Sequence, residues 1–146
     1  MSLTLAQAST IVDVAIRTGR ETQCAPLTVA LLDSGGHLVA FKREDRSGIL
    51  RPEIAIGKAW GALGMGFGTR ELAERAGKAP MFYTALAAVS QGRMIPVPGG
   101  VLIKDASGEV LGAVGISGDT SERDEACALA GISAAGLKAE PGAAKG

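Results

Sequence analysis

PVPGGVLIKDASGEVLGAVGISG, residues 96–118, is the stretch whose reading decides the fold. Val101 to Lys104 and Val110 to Ile116 are apolar runs rich in β-branched residues, and Asp105-Ala106-Ser107-Gly108 joins them. Asp at the first turn position, with Gly where a positive φ is needed, suits a tight turn carrying a bulge, so the stretch reads as an antiparallel hairpin. The spacing Asp105-x-x-Gly108-x-Val110-Leu111 also occurs upstream as Asp33-x-x-Gly36-x-Leu38-Val39. There it joins strands expected at 27–32 and 38–43. The shared spacing argues for a common turn type and is too short to establish duplication.

Working outward from the hairpins, the rest is helical. Thr4-Leu5-Ala6-Gln7 has the spacing of a capping box, and Leu5, Ala8, Val12, Ala15 and Ile16 recur at helical period over 5–19. Pro52 suits a first helical turn with Glu53 beside the positive end of the dipole, and a helix follows over 54–66. That helix carries Gly57-x-x-x-Gly61 and two further glycines at 64 and 66. Glycine this dense costs roughly 1 kcal/mol per position against Ala, so something is expected to pack close to it. Thr69 is expected to cap a short charged helix to about Ala76, Pro80 to open another through Val89, and Asp119, Thr120 or Ser121 to cap a last one over 122–137. Arg93–Val97 is a candidate fifth strand, confined to an edge by Pro96 and Pro98. The order helix, hairpin, helices, hairpin, helix lacks βαβ alternation. It predicts an α+β domain: an antiparallel sheet of about five strands with helices packed on both sides. A single domain over 1–138 is expected, with 139–146 a flexible C-terminal tail by composition.

Composition narrows the function. Lys plus Arg and Asp plus Glu are equal at 15 each, and aromatic residues are 3% of the 146. No overall field favours nucleic acid or an anionic membrane, and stacking platforms for single strands are scarce. No signal sequence or spanning segment is visible, which gives a cytoplasmic expectation. Cys24 and Cys127 read as reduced core residues, with a single disulfide or a reactive thiol as the alternatives.

A lone histidine, His37, rules out H-E-x-x-H and other multi-His zinc constellations and leaves a Ser-His-Asp triad no second candidate for its base. It lies at a hairpin turn, where a solvent-facing role and a metal-ligand role are both open. Gly64-Met65-Gly66-Phe67-Gly68 before Thr69 lacks a Walker lysine and a preceding strand, so it reads as a connection rather than a phosphate loop. Pro98-Gly99-Gly100 enters one strand of the second hairpin and Ser117-Gly118 leaves the other, so small residues meet at one end of the sheet. A ligand notch and plain tight-turn geometry both fit that pattern. The second strand of the first hairpin ends in Lys42-Arg43-Glu44-Asp45-Arg46, either a solvated rim or the mouth of a site for a charged ligand.

The segments ALLDSGGHLVAFKRED, GKAWGAL, PVPGGVLIKDASGEVLGAVGISG and ERDEACALAGI resemble the GlcG/HbpS-like haem-binding family, which also includes the C-terminal domain of PduO proteins. The resemblance runs from about Leu3 to Leu137 in order and spacing. It implies a profilin-like fold, homo-oligomers that are often octamers, and binding of haem or a related tetrapyrrole in some members; the apolar surface of helix 54–66 and of the strands separately argues for a symmetric homo-oligomer built on dimers. Other members are encoded with glycolate or diol catabolism, which keeps open an enzyme or accessory acting on a small carboxylated metabolite. This chain departs from the pattern at Gly61, where members commonly carry a small hydroxyl residue after the Lys-Ala pair. In the implied fold, Arg43 and Lys58 converge on a small anionic ligand over Gly99, Gly100, Ser117 and Gly118, and Lys58 or Asp124 supplies acid/base chemistry. No residue is marked as an axial ligand; Met65, Met81, Met94, Tyr83, Cys24, Cys127 and Lys58 are all chemically able to hold iron.

Overall fold

The computed structural model describes residues 2–142. Their elements are α1 (Leu5–Glu21), β1 (Thr28–Asp33), β2 (Leu38–Arg43), α2 (Arg51–Met65), α3 (Thr69–Lys78), α4 (Pro80–Val89), β3 (Gly100–Lys104), β4 (Val110–Ser117), α5 (Ser121–Ala134) and β5 (Lys138–Glu140). The five strands form one antiparallel sheet in the order β2-β1-β4-β3-β5. The two hairpins therefore lie side by side, joined through β1 and β4, as the α+β reading requires.

The shared turn spacing has a shared cause. Asp33 Oδ1 accepts from the N–H groups of Gly35 and His37, and Asp105 Oδ1 accepts from those of Ser107 and Glu109. Gly36 and Gly108 take φ of 82° and 91°, a region that favours glycine. Both hairpins then carry a register shift next to the turn, at Leu31/Leu32 and Ile103/Lys104. Backbone N–H groups of His37 and Gly35 hold the Asp33 pKa below its ordinary value. The Ser107 hydroxyl and neighbouring N–H groups do the same for Asp105.

Strand alternation gives the central strands two buried faces. On one, Val29, Leu31, Val101, Ile103, Val114 and Ile116 pack against α1 and α5 around Ile11, Ala128 and Ile132, with both cysteines buried there as free thiols. On the other, Leu32, Leu102 and Ala113 meet Ala59 and Ala62 of α2. Where this face carries Gly100, Ala113 and Gly115 it has little or no side chain, so α2 comes very close. A Cβ on Gly115 would lie 1.9 Å from the Ala55 carbonyl oxygen, and one on Gly100 would lie 2.4 Å from that of Lys58.

Several local expectations are corrected. Arg93–Val97 is not a strand. Its Ile95 fills the space a Cβ on Gly57 would take, at 2.7 Å, and the Met94 sulfur sits 3.2 Å from that of Gly61. The segment thus covers the Gly-x-x-x-Gly face of α2, and Pro96 and Pro98 lack the N–H groups for a ladder. The fifth strand is Lys138–Glu140 on the β3 edge. It takes up residues 139 and 140 of the expected tail, the Pro141 carbonyl accepts from the Arg70 N–H at 3.2 Å, and residues 143–146 lie outside the described ones. The N-cap of α3 is Gly68 rather than Thr69, because the Thr69 hydroxyl is used elsewhere. Helix α1 runs past Gly19, whose missing side chain admits Leu27, and α5 stops short of Gly136 at φ 73°.

If backbone-distance packing of α2 sets the fold, two glycines should respond oppositely to alanine. Gly115→Ala should lower stability by about 1–3 kcal/mol or more, because a carbonyl cannot move aside as a flexible side chain can. Gly77→Ala, in α3 with nothing within 4 Å of the added atom, should raise it by about 0.5–1 kcal/mol. Urea unfolding of the two variants checks both signs.

Candidate functional site

Lys58 lies on the face of α2 that meets the sheet. Its side chain is 3% exposed, and its Nζ donates to the Ile116 carbonyl at 2.8 Å and to Asp124 Oδ2 at 3.3 Å. Asp124 is in the first turn of α5, positioned by Thr120, whose hydroxyl caps that helix. Its other oxygen accepts from the Asp119 N–H at 2.9 Å, and Asp119 in turn accepts from the Ala25 N–H at 2.7 Å. Burial pushes the Lys58 pKa down and the Asp124 pKa up, while the attraction of each for the other opposes both shifts. Arg51, two turns earlier on α2, adds to the lowering at Lys58.

Of the residues singled out in the sequence, Lys58, Gly99, Gly100, Ser117 and Asp124 lie near one another. A Cβ on Gly99 would lie 2.8 Å from Lys58 Nζ. The Gly100 N–H donates to the Thr69 hydroxyl at 2.8 Å, and the Ser117 hydroxyl accepts from Arg51 at 3.0 Å. A Cβ on Gly118 would lie 2.3 Å from the Pro26 carbonyl oxygen. The small residues at this end of the sheet therefore receive α2 and the β1 entry. Arg43 turns to the Ser47 carbonyl at 2.8 Å. The arginine at Ser117 is Arg51, which sequence reasoning missed. Its signal was the i, i+7 spacing from Lys58, which puts both cations on one helical face. Thr28 was also missed; fully buried, it meets the Ser47 hydroxyl at 2.7 Å.

The charged run after β2 divides by strand alternation. Lys42 pairs with Asp13 at 2.7 Å and Glu44 with Arg20 at 2.8 Å, both on α1. Glu44 also accepts from the Leu27 N–H at 2.8 Å. Arg20, Lys42, Arg43 and Glu44 line an open hollow of about 460 Å³. His37 is exposed, its Nδ1 3.2 Å from Asp33 Oδ1, and no group of three or more metal-binding side chains exists among the described residues.

A different hollow is apolar. Leu72, Ala76, Pro80, Tyr83, Met94 and Pro96 line a cleft of about 350 Å³ between α3, α4 and the segment leading to β3. Met94 also walls a smaller hollow of about 180 Å³ with Trp60 and Met65. No helix among the described residues is long and apolar enough to cross a membrane.

A family model described as haem degrading protein HbpS-like matches residues 3–133. An uncharacterized 15.0 kDa protein from the dhaT-dhaS intergenic region of Citrobacter freundii is 30% identical over 99 residues, 68% of each chain. The corrinoid adenosyltransferase PduO of the same organism is 28% identical over 138 residues, which span 94% of this chain and 40% of that protein. Among solved structures, a PduOC:heme complex superposes with a TM-score of 0.85 at 25% identity, over 94% of this chain and 98% of that one.

The buried pair yields a stability test. Asp124→Asn leaves the Lys58 ammonium uncompensated and should cost about 3–5 kcal/mol, whereas Lys58→Met/Asp124→Leu should return the urea midpoint to that of the parent or above. The sign with pH follows from the shifts. The Lys58 penalty is full below its depressed folded pKa and fades as pH rises towards the ordinary lysine value. The Asp124 penalty is full above its raised folded pKa and fades as pH falls towards the ordinary carboxyl value. The gain of the double variant over the parent should therefore be greatest near neutral pH.

Proposed function

The chain belongs to the haem degrading protein HbpS-like family, and from that premise we propose that it is a binding protein for haem or a related anionic tetrapyrrole, working as a homo-oligomer. The observation that carries this reading is the match along almost the full length of a PduO domain solved with haem. The chain's own residues fit such a ligand. The cleft beside α4 offers apolar walls, Met94 among them, to a macrocycle, and Tyr83 is a side chain able to meet iron. Arginine offers a planar fork to a propionate, and Arg93 stands beside Met94.

A second reading is an enzyme or accessory acting on a small carboxylated metabolite. The Lys58–Asp124 pair favours it, since burial shifts the two groups towards each other in pKa as acid/base work requires. That pair is closed off, so this role needs α2 or the start of α5 to move.

Assembly is supported by exposed apolar surface: Ile49 is 92% exposed, Met81 87% and Val89 80%. A symmetric oligomer built on dimers, up to the octamer the family resemblance implies, would cover it.

Two measurements test these statements. Haemin added to the purified protein should give a sharp Soret band that saturates at equimolar ratio; a broad, non-saturating rise would favour the metabolite reading. Sedimentation at micromolar concentration should show a species larger than a monomer, and a clean monomer would refute the assembly.

A further inference from the structure

Helix α4 stands apart from the rest of the molecule. Its sequence, PMFYTALAAV, contains no Asp, Glu, Lys, Arg or His, yet none of its ten residues is buried. A helix of this composition has no solvated face to present, so its apolar side chains are built to meet something. Its main contact within the chain is with α3. The apolar cleft of about 350 Å³ lies along this contact, and Met94 lines both it and the smaller hollow beside Trp60.

Polar groups at the cleft are few and specific. The Thr84 hydroxyl is committed to the Pro80 carbonyl at 2.8 Å. Tyr83 is half-buried and held edge-to-face against Phe82, with ring centroids 5.3 Å apart. The Met94 sulfur is turned towards Gly61 in α2, so that side chain acts as a wall. Next to Met94 in the chain, exposed Arg93 is stacked on Trp60 of the neighbouring hollow at 4.1 Å and gives its Nε to the Ser90 carbonyl at 2.9 Å. Its two Nη groups make no hydrogen bond within the described residues, so the fork is fixed in place and open to a carboxylate.

We propose that the α3–α4 cleft, with Tyr83 as the iron-facing oxygen and Arg93 as the carboxylate partner, is the tetrapyrrole site of this chain. The proposal rests on the tetrapyrrole-binding reading above and adds its location and its ligand. It separates this site from the buried Lys58–Asp124 array, where the small residues already receive protein backbone. A phenol oxygen is a hard donor suited to ferric rather than ferrous iron, and coordination would release its proton to solvent. The apolar walls suit the macrocycle, and Arg93, one residue before the Met94 wall, is the cation proposed to meet its carboxylates.

The test is titration of haemin into the full-length protein and two variants, followed by absorption and electron paramagnetic resonance spectra. Tyr83→Phe should weaken binding by roughly tenfold or more, since loss of even a ligand-supporting group costs that much. It should also remove the phenolate-to-iron(III) charge-transfer absorption. Thr84→Trp, at an exposed position whose new side chain would fill the cleft, should abolish saturable binding while leaving the thermal melt of the apoprotein unchanged. Should the parent bind haemin with saturation and both variants match it in affinity and spectrum, the site lies elsewhere and only the functional reading survives. Should Thr84→Trp instead dissociate the oligomer and leave haemin binding intact, the cleft itself is filled by another copy and the proposal is overturned. A parent with no saturable haemin binding removes the functional reading and the site together.

Discussion

Helix α2 lies against the sheet at backbone distance, and the rest of the architecture follows from that approach. Ala55, Ala59 and Ala62 on the helix face Ala113, Gly115 and Gly100 on the strands, leaving no room for a larger side chain at the point of contact. Interiors pack like crystals, so an interface of small residues is stable only if its partners are fixed in depth and register. The Lys58 ammonium supplies that fixing. By bonding at once to a β4 carbonyl and an α5 carboxylate, it ties α2 to partners 58 and 66 residues further along the chain. Buried ion pairs of this kind are poor sources of stability, and their best-attested use is to specify one arrangement among several. Here the arrangement specified is which face of α2 meets the sheet, and at what height.

The same economy of side-chain size appears on the outer face of α2. Gly57 and Gly61 look outward and are covered by Ile95 and Met94. A strand was expected there, and instead the segment folds down onto the helix and sets one wall of the apolar cleft. The dense glycines of α2 thus do two things: those at 57 and 61 receive the segment leading to β3, and Gly66, at φ 84°, ends the helix.

What could be read from the sequence was what depends on local geometry. Turn spacing around Asp33 and Asp105 identified both hairpins, the capping box at Thr4 started α1 where the structure has it, and the absence of βαβ alternation gave the fold class. Long-range polar partners were harder. Ser117, Gly99 and Gly100 were recognised as neighbours because antiparallel pairing brings strand ends together. Arg51 was overlooked because the i, i+7 spacing that puts it on the Lys58 face does not say whether it reaches a sheet hydroxyl or water. Arg43 carried the opposite ambiguity: its strand position was right, and its guanidinium found a carbonyl four residues away. The fifth strand could not be read from a three-residue Lys-Ala-Glu segment, whose pairing is decided by where α5 releases the chain on the β3 edge.

The pairing of β1 with β4 has a bearing on how the chain reaches this structure. Each hairpin closes a short loop and can form on its own within microseconds, whereas the β1–β4 ladder joins Thr28 to Ser117 across most of the chain. Between them lie α2, α3 and α4, which must be gathered before the two hairpins can meet. The halves of the sheet are thus natural candidates for independent cooperative units, with their union as the slow step. Hydrogen exchange would then be slowest along β1 and β4, the two strands whose shared ladder joins the hairpins, and faster towards the outer strand β2.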